Sequence, residues 1–354
     1  MKRIYRAIIV IALLGITAGV IAFGVTGSSR KQSEEEEQRY AWPLATCSTE
    51  ETITHVFAST FAEEVGKLSD GKMKIQVYPQ STLGGDRELL ESCKDEDIPF
   101  IVQSPAPQVS FMPELCVFDI PCAFDNIDDA RKAVDGEEFQ EIIQGIYKDA
   151  GYQLLGTADQ CYRVMTSAKP FTGFESFKGQ KIRTMENTYH LQFWKALGAN
   201  PTPMTFSEVY IGLQQGTIDA QENAYELLVS AKLYEQQEYV IETNAVPDYV
   251  TLIVSDKFME GLSKSQQEII RKAAENAQET AREQADERRE ERMKTLKEEG
   301  MEIIELDDAT WKEMQLGDCK KHPQHEIKRQ GFVFPAVRTA GGQRCSPKGQ
   351  QFCK

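Results

Sequence analysis

The chain has 354 residues and a formal charge of −15, from 40 Lys and Arg against 55 Asp and Glu. The first thirty residues hold four basic and no acidic groups, so the remainder, with 36 basic and 55 acidic, carries −19. That acidity excludes a nucleic-acid partner, because neutralising phosphates takes clustered Lys and Arg. A 41% apolar and 27% charged content is that of a folded chain with room for one large or two medium domains. Only one apolar stretch approaches spanning length, which excludes a polytopic membrane protein.

That stretch comes first. Lys2, Arg3 and Arg6 precede the uncharged run Ala7–Phe23, and the small residues Val25 and Gly27 offer a cleavage point before Ser28. Residues 1–27 therefore read as a signal peptide or, if uncleaved, an N-terminal anchor. Both put the body outside the cytoplasm, in the periplasm or at the outer face of the cell membrane. Residues 28–46, with KQSEEEEQR from Lys31 to Arg39, read as a solvated spacer. Eight cysteines (Cys47, Cys93, Cys116, Cys122, Cys161, Cys319, Cys345 and Cys353) favour disulfides in an oxidising compartment, or free buried thiols for some. Cys319, His322, His325 and Cys345 can be drawn as a zinc site, but the spacing is irregular and Pro323 interrupts it, so no metal is expected.

From Glu50, Phe57, Phe61, Val65 and Leu68 recur at helical spacing and predict an amphipathic helix ended by Asp70-Gly71. Met73–Tyr78 alternates as a strand. Asp86 is placed to cap a short helix facing Leu89, Leu90 and Cys93 inward, and Ile98–Val102 is a second strand. This order implies parallel pairing with helices covering the sheet. The rhythm restarts with strands at Arg163–Thr166 and Gly179–Thr184 and a helix over Thr188–Leu197. Thr205 and Glu208 make a capping box for Glu208–Gln215; Ile218–Ala220 is extended, and Ala224–Gln236 is helical. Thr251–Ser255 is a strand positioned to rejoin the first unit. Ser263 and Gln266 cap a charged helix from Lys264 to Glu299. Its inward residues, Ile269, Ile270, Ala273, Ala277 and Ala281, are too small and few for a heptad seam, so it reads as a strap across two lobes. A strand at Met301–Leu306, a helix around Trp311 and a loose tail follow.

Catalytic signatures are missing. There is no phosphate-cradling glycine loop and no G-x-S-x-G elbow. The four histidines, His55, His190, His322 and His325, form no nucleophile–base arrangement, and His55 and His190 read as ordinary helix-face residues. No enzyme and no cofactor are expected.

The informative stretch runs from Arg183, at a strand end in KIRTMEN, through ANPTPMTFSEVYIGLQQGTIDAQEN to Asn223. Open α/β folds bind ligands beside the carboxyl ends of strands. The segment resembles the substrate-binding proteins of tripartite ATP-independent periplasmic (TRAP) transporters, the DctP-like family. Leu83-Gly84-Gly85 followed by Arg87, and Cys161-Tyr162-Arg163 followed by Thr166-Ser167, match further motifs, and the likeness covers roughly Ser48 to Leu306. It implies an α/β, two-lobed periplasmic-binding-protein-like fold with a central cleft and a long helix spanning both lobes. Lobe I would take 47–160 and 249–288, lobe II 161–248 and 289–335, leaving 336–354 as a C-terminal tail. It also implies a monomer that captures a small carboxylate and delivers it to the membrane permease subunits of a TRAP transporter.

Carried over residue by residue, Arg183 matches the arginine that grips the substrate carboxylate and Arg163 a second, assisting arginine. Asn223 matches the asparagine of the Q-E-N motif, and Phe206 the aromatic that packs on the ligand. Gln103 stands where sialic-acid-binding members carry a glutamate, which argues against that ligand. The chemistry agrees: a guanidinium meets a carboxylate with two parallel hydrogen bonds, where a lysine offers a point charge. A sensory module signalling to a membrane kinase is the rival reading. A secreted lyase or hydrolase is disfavoured for want of a nucleophile or metal ligands.

Overall fold

A computed structural model describes residues 40–321, with side chains through Gln315. The expectations for 1–27, for His322, His325 and Cys345 of the drawn zinc set, and for the tail at 336–354 lie outside the described residues. Among the described residues no helix is long and apolar enough to cross a membrane.

Two sheets organise the chain. The first joins β1 (Tyr40–Ala45), β2 (Met73–Tyr78), β3 (Phe100–Gln103), β4 (Tyr152–Tyr162) and β10 (Pro247–Ser255) in the order β2-β1-β3-β10-β4. β1 runs parallel to β2 and β3, while β10 is antiparallel to β3 and β4. The second joins β5 (Val164–Ser167), β6 (Lys181–Thr184), β7 (Asn200–Pro203), β8 (Ala220–Asn223), β9 (Tyr239–Glu242) and β11 (Glu302–Glu305) in the order β11-β9-β5-β8-β6-β7. The chain passes between the sheets at Arg163 and again at 243–246, and each sheet with its helices forms one lobe.

Helices α1 (Ile53–Leu68), α2 (Asp86–Lys94), α3 (Pro105–Gln108), α4 (Ile127–Val134) and α5 (Glu137–Ala150) cover the first sheet. Phe57 and Phe61 of α1 are buried with Phe100 on one face; Leu89, Leu90, Tyr147 and Ile253 fill the other. Helices α6 (Thr188–Ala196), α7 (Val209–Gln214) and α8 (Tyr225–Ser230) serve the second sheet, and the short α9 (Asp256–Glu260) precedes α10 (Lys264–Glu298). A last helix, α11 (Asp308–Lys321), buries Met314 in the second lobe.

The strap is α10. Its capping box forms as expected, with the backbone amide of Gln266 donating to Ser263 Oγ (3.3 Å) and that of Ser263 to Gln266 Oε1 (2.9 Å). Ala273, Ala277, Ala281 and Ala285 recur every fourth residue, all buried among the first lobe's apolar side chains, whereas Leu296 is buried in the second. Small side chains let the helix lie close to α1 and β4. On β4, a side chain at Gly156 would come within 2.9 Å of Gln278 Oε1 and 3.2 Å of the Phe57 ring.

Several expectations are corrected. The segment read as spacer contains β1, an interior strand; Pro43 obscures it in sequence, yet pairing with β3 begins only at Leu44. Asp86 does not cap α2: Gly85 holds the cap position, its amide donating to Glu88 Oε2 (2.7 Å). The Thr205 and Glu208 side chains bond each other (2.9 Å) instead of closing a box, so this segment starts as a 3₁₀ turn. Helix α8 stops at Ser230, because Lys232 takes a left-handed conformation at φ 52°. Of the two readings left open for the cysteines, Cys47, Cys93, Cys116 and Cys161 take that of free thiols, buried as small apolar groups.

Replacing Ala277 by Leu should overpack the contact between α10 and the first lobe and cost about 1–3 kcal/mol. Urea unfolding followed by circular dichroism reads this; unchanged stability would contradict the close helix approach described.

Candidate functional site

Between the lobes lies a cavity of about 50 Å³, lined from the first lobe by residues including Cys47, Thr54, Asp86, Gln103, Gln160 and Asp248. The second lobe contributes Arg183, Met185, Phe206, Asn223 and Leu227, and Arg163 lies at the crossing. The backbone explains the placement. Strand β3 ends at Gln103 and β6 at Thr184, so Gln103 and Arg183 both lie at the carboxyl ends of strands, one in each sheet. Asn223 ends β8, just before the helix α8 that begins at Tyr225. All five residues singled out in the sequence therefore line this cavity, but they differ in what they have free.

Arg183 is 2% exposed. Its Nε and Nη2 both donate to the Met204 carbonyl, at 2.9 and 2.6 Å, which fixes the plane of the guanidinium. Nη1 is buried without a partner. The edge that remains is Nη1 with the second proton of Nη2, a two-pronged donor open to the cavity. Burial, reinforced by the nearby Arg163 charge and opposed by Glu222, lowers its pKa to about 10. No carboxylate of the described residues forms an ion pair with it.

Arg163, expected from the resemblance as an assisting arginine, is the opposite case. Its Nε donates to Glu222, Nη1 to Asp248 Oδ1 (2.6 Å), and Nη2 to the Glu222 carbonyl (2.6 Å) and Asn223 Oδ1 (3.0 Å). Every nitrogen is engaged by the protein. Desolvation is outweighed by the two carboxylates, so its pKa is raised.

His190 also departs from its reading as an ordinary helix-face residue. The imidazole is buried, with Nε2 3.0 Å from Asp119 Oδ1 and Nδ1 3.4 Å from Glu222 Oε1. Asn187 adds a bond from Nδ2 to Asp119 Oδ2 (2.7 Å). The result is an alternating chain of charge, Asp119, His190, Glu222, Arg163 and Asp248, which starts in the first lobe, passes through the second and returns to the first at Asp248. It ends where Gln160 Nε2 donates to Asp248 Oδ2 (3.0 Å) on the cavity wall. Desolvation opposes the imidazolium, but Asp119 and Glu222 prevail and raise His190 to about 9. Burial likewise opposes ionised Glu222, yet Arg163 and His190 hold it down to about 2. On the wall, burial pushes Asp86 and Asp248 upward. Thr49 Oγ1 donates to Ser230 Oγ (2.6 Å), so the two lobes touch.

Residues 44–321 match the model of the family described as bacterial extracellular solute-binding protein, family 7. The chain belongs to that family. A solute-binding protein of Roseobacter denitrificans is 30% identical over 77% of this chain and 84% of its own length. The ectoine/5-hydroxyectoine-binding periplasmic protein of Ruegeria pomeroyi is 31% identical over 72% and 74% respectively. Among solved structures, a TRAP periplasmic solute-binding protein from Polaromonas sp. JS666, bound to D-erythronate, superposes with a TM-score of 0.76. It is 29% identical and covers 83% of this chain and 99% of that one.

For a solute-binding protein of this family, the sequence reading missed Thr54, Asp86, Gln160 and Asp248 on the wall and Asp119 and His190 behind it. Glu222 was within reach, since it stands in the motif Gln221-Glu222-Asn223. The others come from separate segments, and no local spacing marks them.

His190 makes stability pH-dependent. Its proton is held more tightly in the folded chain than at the unfolded value of 6.5, so the contribution is complete below that pH and is lost as pH rises through about 9. Stability should fall by roughly 3 kcal/mol over that window, and His190→Gln should remove most of the slope. A flat wild-type profile between these limits in urea titrations would contradict the assignment.

Proposed function

We propose that this extracytoplasmic protein captures a small organic acid in its cleft and delivers it to a TRAP-type permease driven by an ion gradient. One observation carries the reading: Nη1 of Arg183 is buried in the cavity without a partner. A desolvated cation without a counter-ion is costly, by several kcal/mol, and a ligand carboxylate on the free edge removes that cost. Closure and binding then become one event. The D-erythronate held by the Polaromonas relative is itself a carboxylate.

In this reading Arg183 grips the carboxylate. Phe206, half-buried at the cavity edge, packs on the ligand's carbon chain, and Gln103 and Asn223 present amides to it. Arg163 is a positioning residue: it orients Asn223 through Oδ1 and anchors Glu222, whose field offsets only part of the cost of burying Arg183. No chemical step is assigned to the cleft.

The two arginines should separate by experiment. Arg183→Ala should abolish ligand-induced thermal stabilisation across a panel of small carboxylates, a signal worth about 2.7 kcal/mol at a hundredfold excess over Kd. It should leave the unliganded protein at least as stable, since it removes an unpaired buried charge. Arg183→Lys should also bind poorly, because the charge survives and the fork does not. Arg163→Met should instead destabilise the unliganded fold by about 3–5 kcal/mol by stranding Glu222 and Asp248. An undiminished melting shift in Arg183→Ala would refute the reading.

A further inference from the structure

The wall facing Arg183 has its own unmet requirements. Oε1 and Nε2 of Gln103, Oε1 of Gln160 and Oγ1 of Thr54 are all buried with no hydrogen-bond partner, and all three residues line the same cavity as Arg183. Gln103 is 2% and Gln160 6% exposed, so bulk water does not serve them. Gln160 is held in place by the bond from its Nε2 to Asp248 Oδ2, which leaves Oε1 as its free atom. Gln103 offers an unmet acceptor and an unmet donor side by side. Buried amides are hydrogen-bonded in folded proteins, and an orphaned one points to a group that completes it.

The chemistry of that group follows by comparing what each candidate leaves unsatisfied. A methylene satisfies none of these atoms. A carboxylate accepts only, so it answers Gln103 Nε2 and strands the acceptors; it would also lie beside Asp86 and Asp248 with no cation to spare, since Arg163 is engaged by Glu222 and Asp248. An ammonium donates only and strands Gln103 Nε2. A quaternary or delocalised cation prefers several aromatic faces, and among the described residues Phe206 is the one aromatic lining the cavity. A hydroxyl both donates and accepts, and two or more along a carbon chain answer all of the unmet atoms.

Resting on the carboxylate reading above, we infer that the ligand is a hydroxylated monocarboxylate whose carboxylate meets Arg183 and whose hydroxyls meet Gln103, Gln160 and Thr54. Gln103 and Gln160 then set specificity against unhydroxylated acids and dicarboxylates. A site built around hydroxyl partners rejects an analogue lacking them far more strongly than an apolar pocket rejects a missing methylene.

The test is thermal shift and calorimetry on the full-length protein with acids of about four to six carbons. The sets are hydroxylated monocarboxylates (erythronate, threonate, gluconate, galactonate), unhydroxylated counterparts (butyrate, hexanoate), dicarboxylates (succinate, malate) and amino acids. The expected result is tightest binding by a hydroxylated monocarboxylate, with its unhydroxylated counterpart weaker by roughly tenfold or more. Gln103→Met and Gln160→Met should each narrow that ratio while Arg183-dependent binding persists; the wild-type comparison decides the matter even where a variant does not fold. A dicarboxylate, an amino acid or an unhydroxylated acid binding as tightly as the best hydroxylated one overturns the inference and leaves the carboxylate reading standing. Silence from every carboxylate overturns the carboxylate reading itself.

Discussion

A guanidinium taken out of water between two lobes, with its plane fixed and its outer edge unpaired, is the constraint around which this molecule is arranged. The Met204 carbonyl occupies the inner edge of Arg183 and so removes the freedom that an arginine side chain ordinarily has. Binding does not have to order it. The open edge is costly in a closed cleft and cheap in a solvated open one, so an anion that reaches it favours closure through contacts the open form lacks. With −19 on the chain beyond residue thirty, long-range attraction does not draw such an anion in. Recognition has to be local, and one uncompensated cation in a small cavity provides that.

The second arginine shows why counting charges in a cleft misleads. Arg163 lies on the same cavity, but Glu222 and Asp248 have claimed it. The array from Asp119 through His190 to Asp248 ties the crossing at Arg163 to the cavity wall and bridges the lobes. Such a buried ionic array is a poor source of net stability, because desolvation offsets most of the attraction. Its effect here is orientation: it fixes Asn223 and Gln160 where a ligand meets them and leaves Arg183, among the described residues, the only lining cation without an ion-pair partner.

How much of this was legible in the sequence depended on whether a feature is local. Strand β2 was readable from its alternation, α10 from its capping box, and the strand-end position of Arg183 from the motif around it. Strand β4 escaped because its second half, ADQCY, is buried yet polar: Asp159 and Gln160 are paired by distant residues that no spacing reveals. Strand β1 was hidden by Pro43 and by the charged run before it. His190 looked ordinary because its partners, Asp119 and Glu222, come from segments far away in the chain. The split in roles between Arg163 and Arg183 was invisible for the same reason, since each arginine sits in an equally suggestive motif. Membership of a family of solute-binding proteins was legible; which polar atoms remain unmet was not, because that depends on who has already bonded to whom.

The central claim is most directly tested by a crystal structure of the protein with its bound acid. The account predicts a carboxylate oxygen within hydrogen-bonding distance of Arg183 Nη1, with the bonds to Met204 and the pairs from Arg163 to Glu222 and Asp248 intact. A ligand whose carboxylate rests on Arg163 or on a backbone amide, leaving Arg183 Nη1 unpartnered, would contradict it.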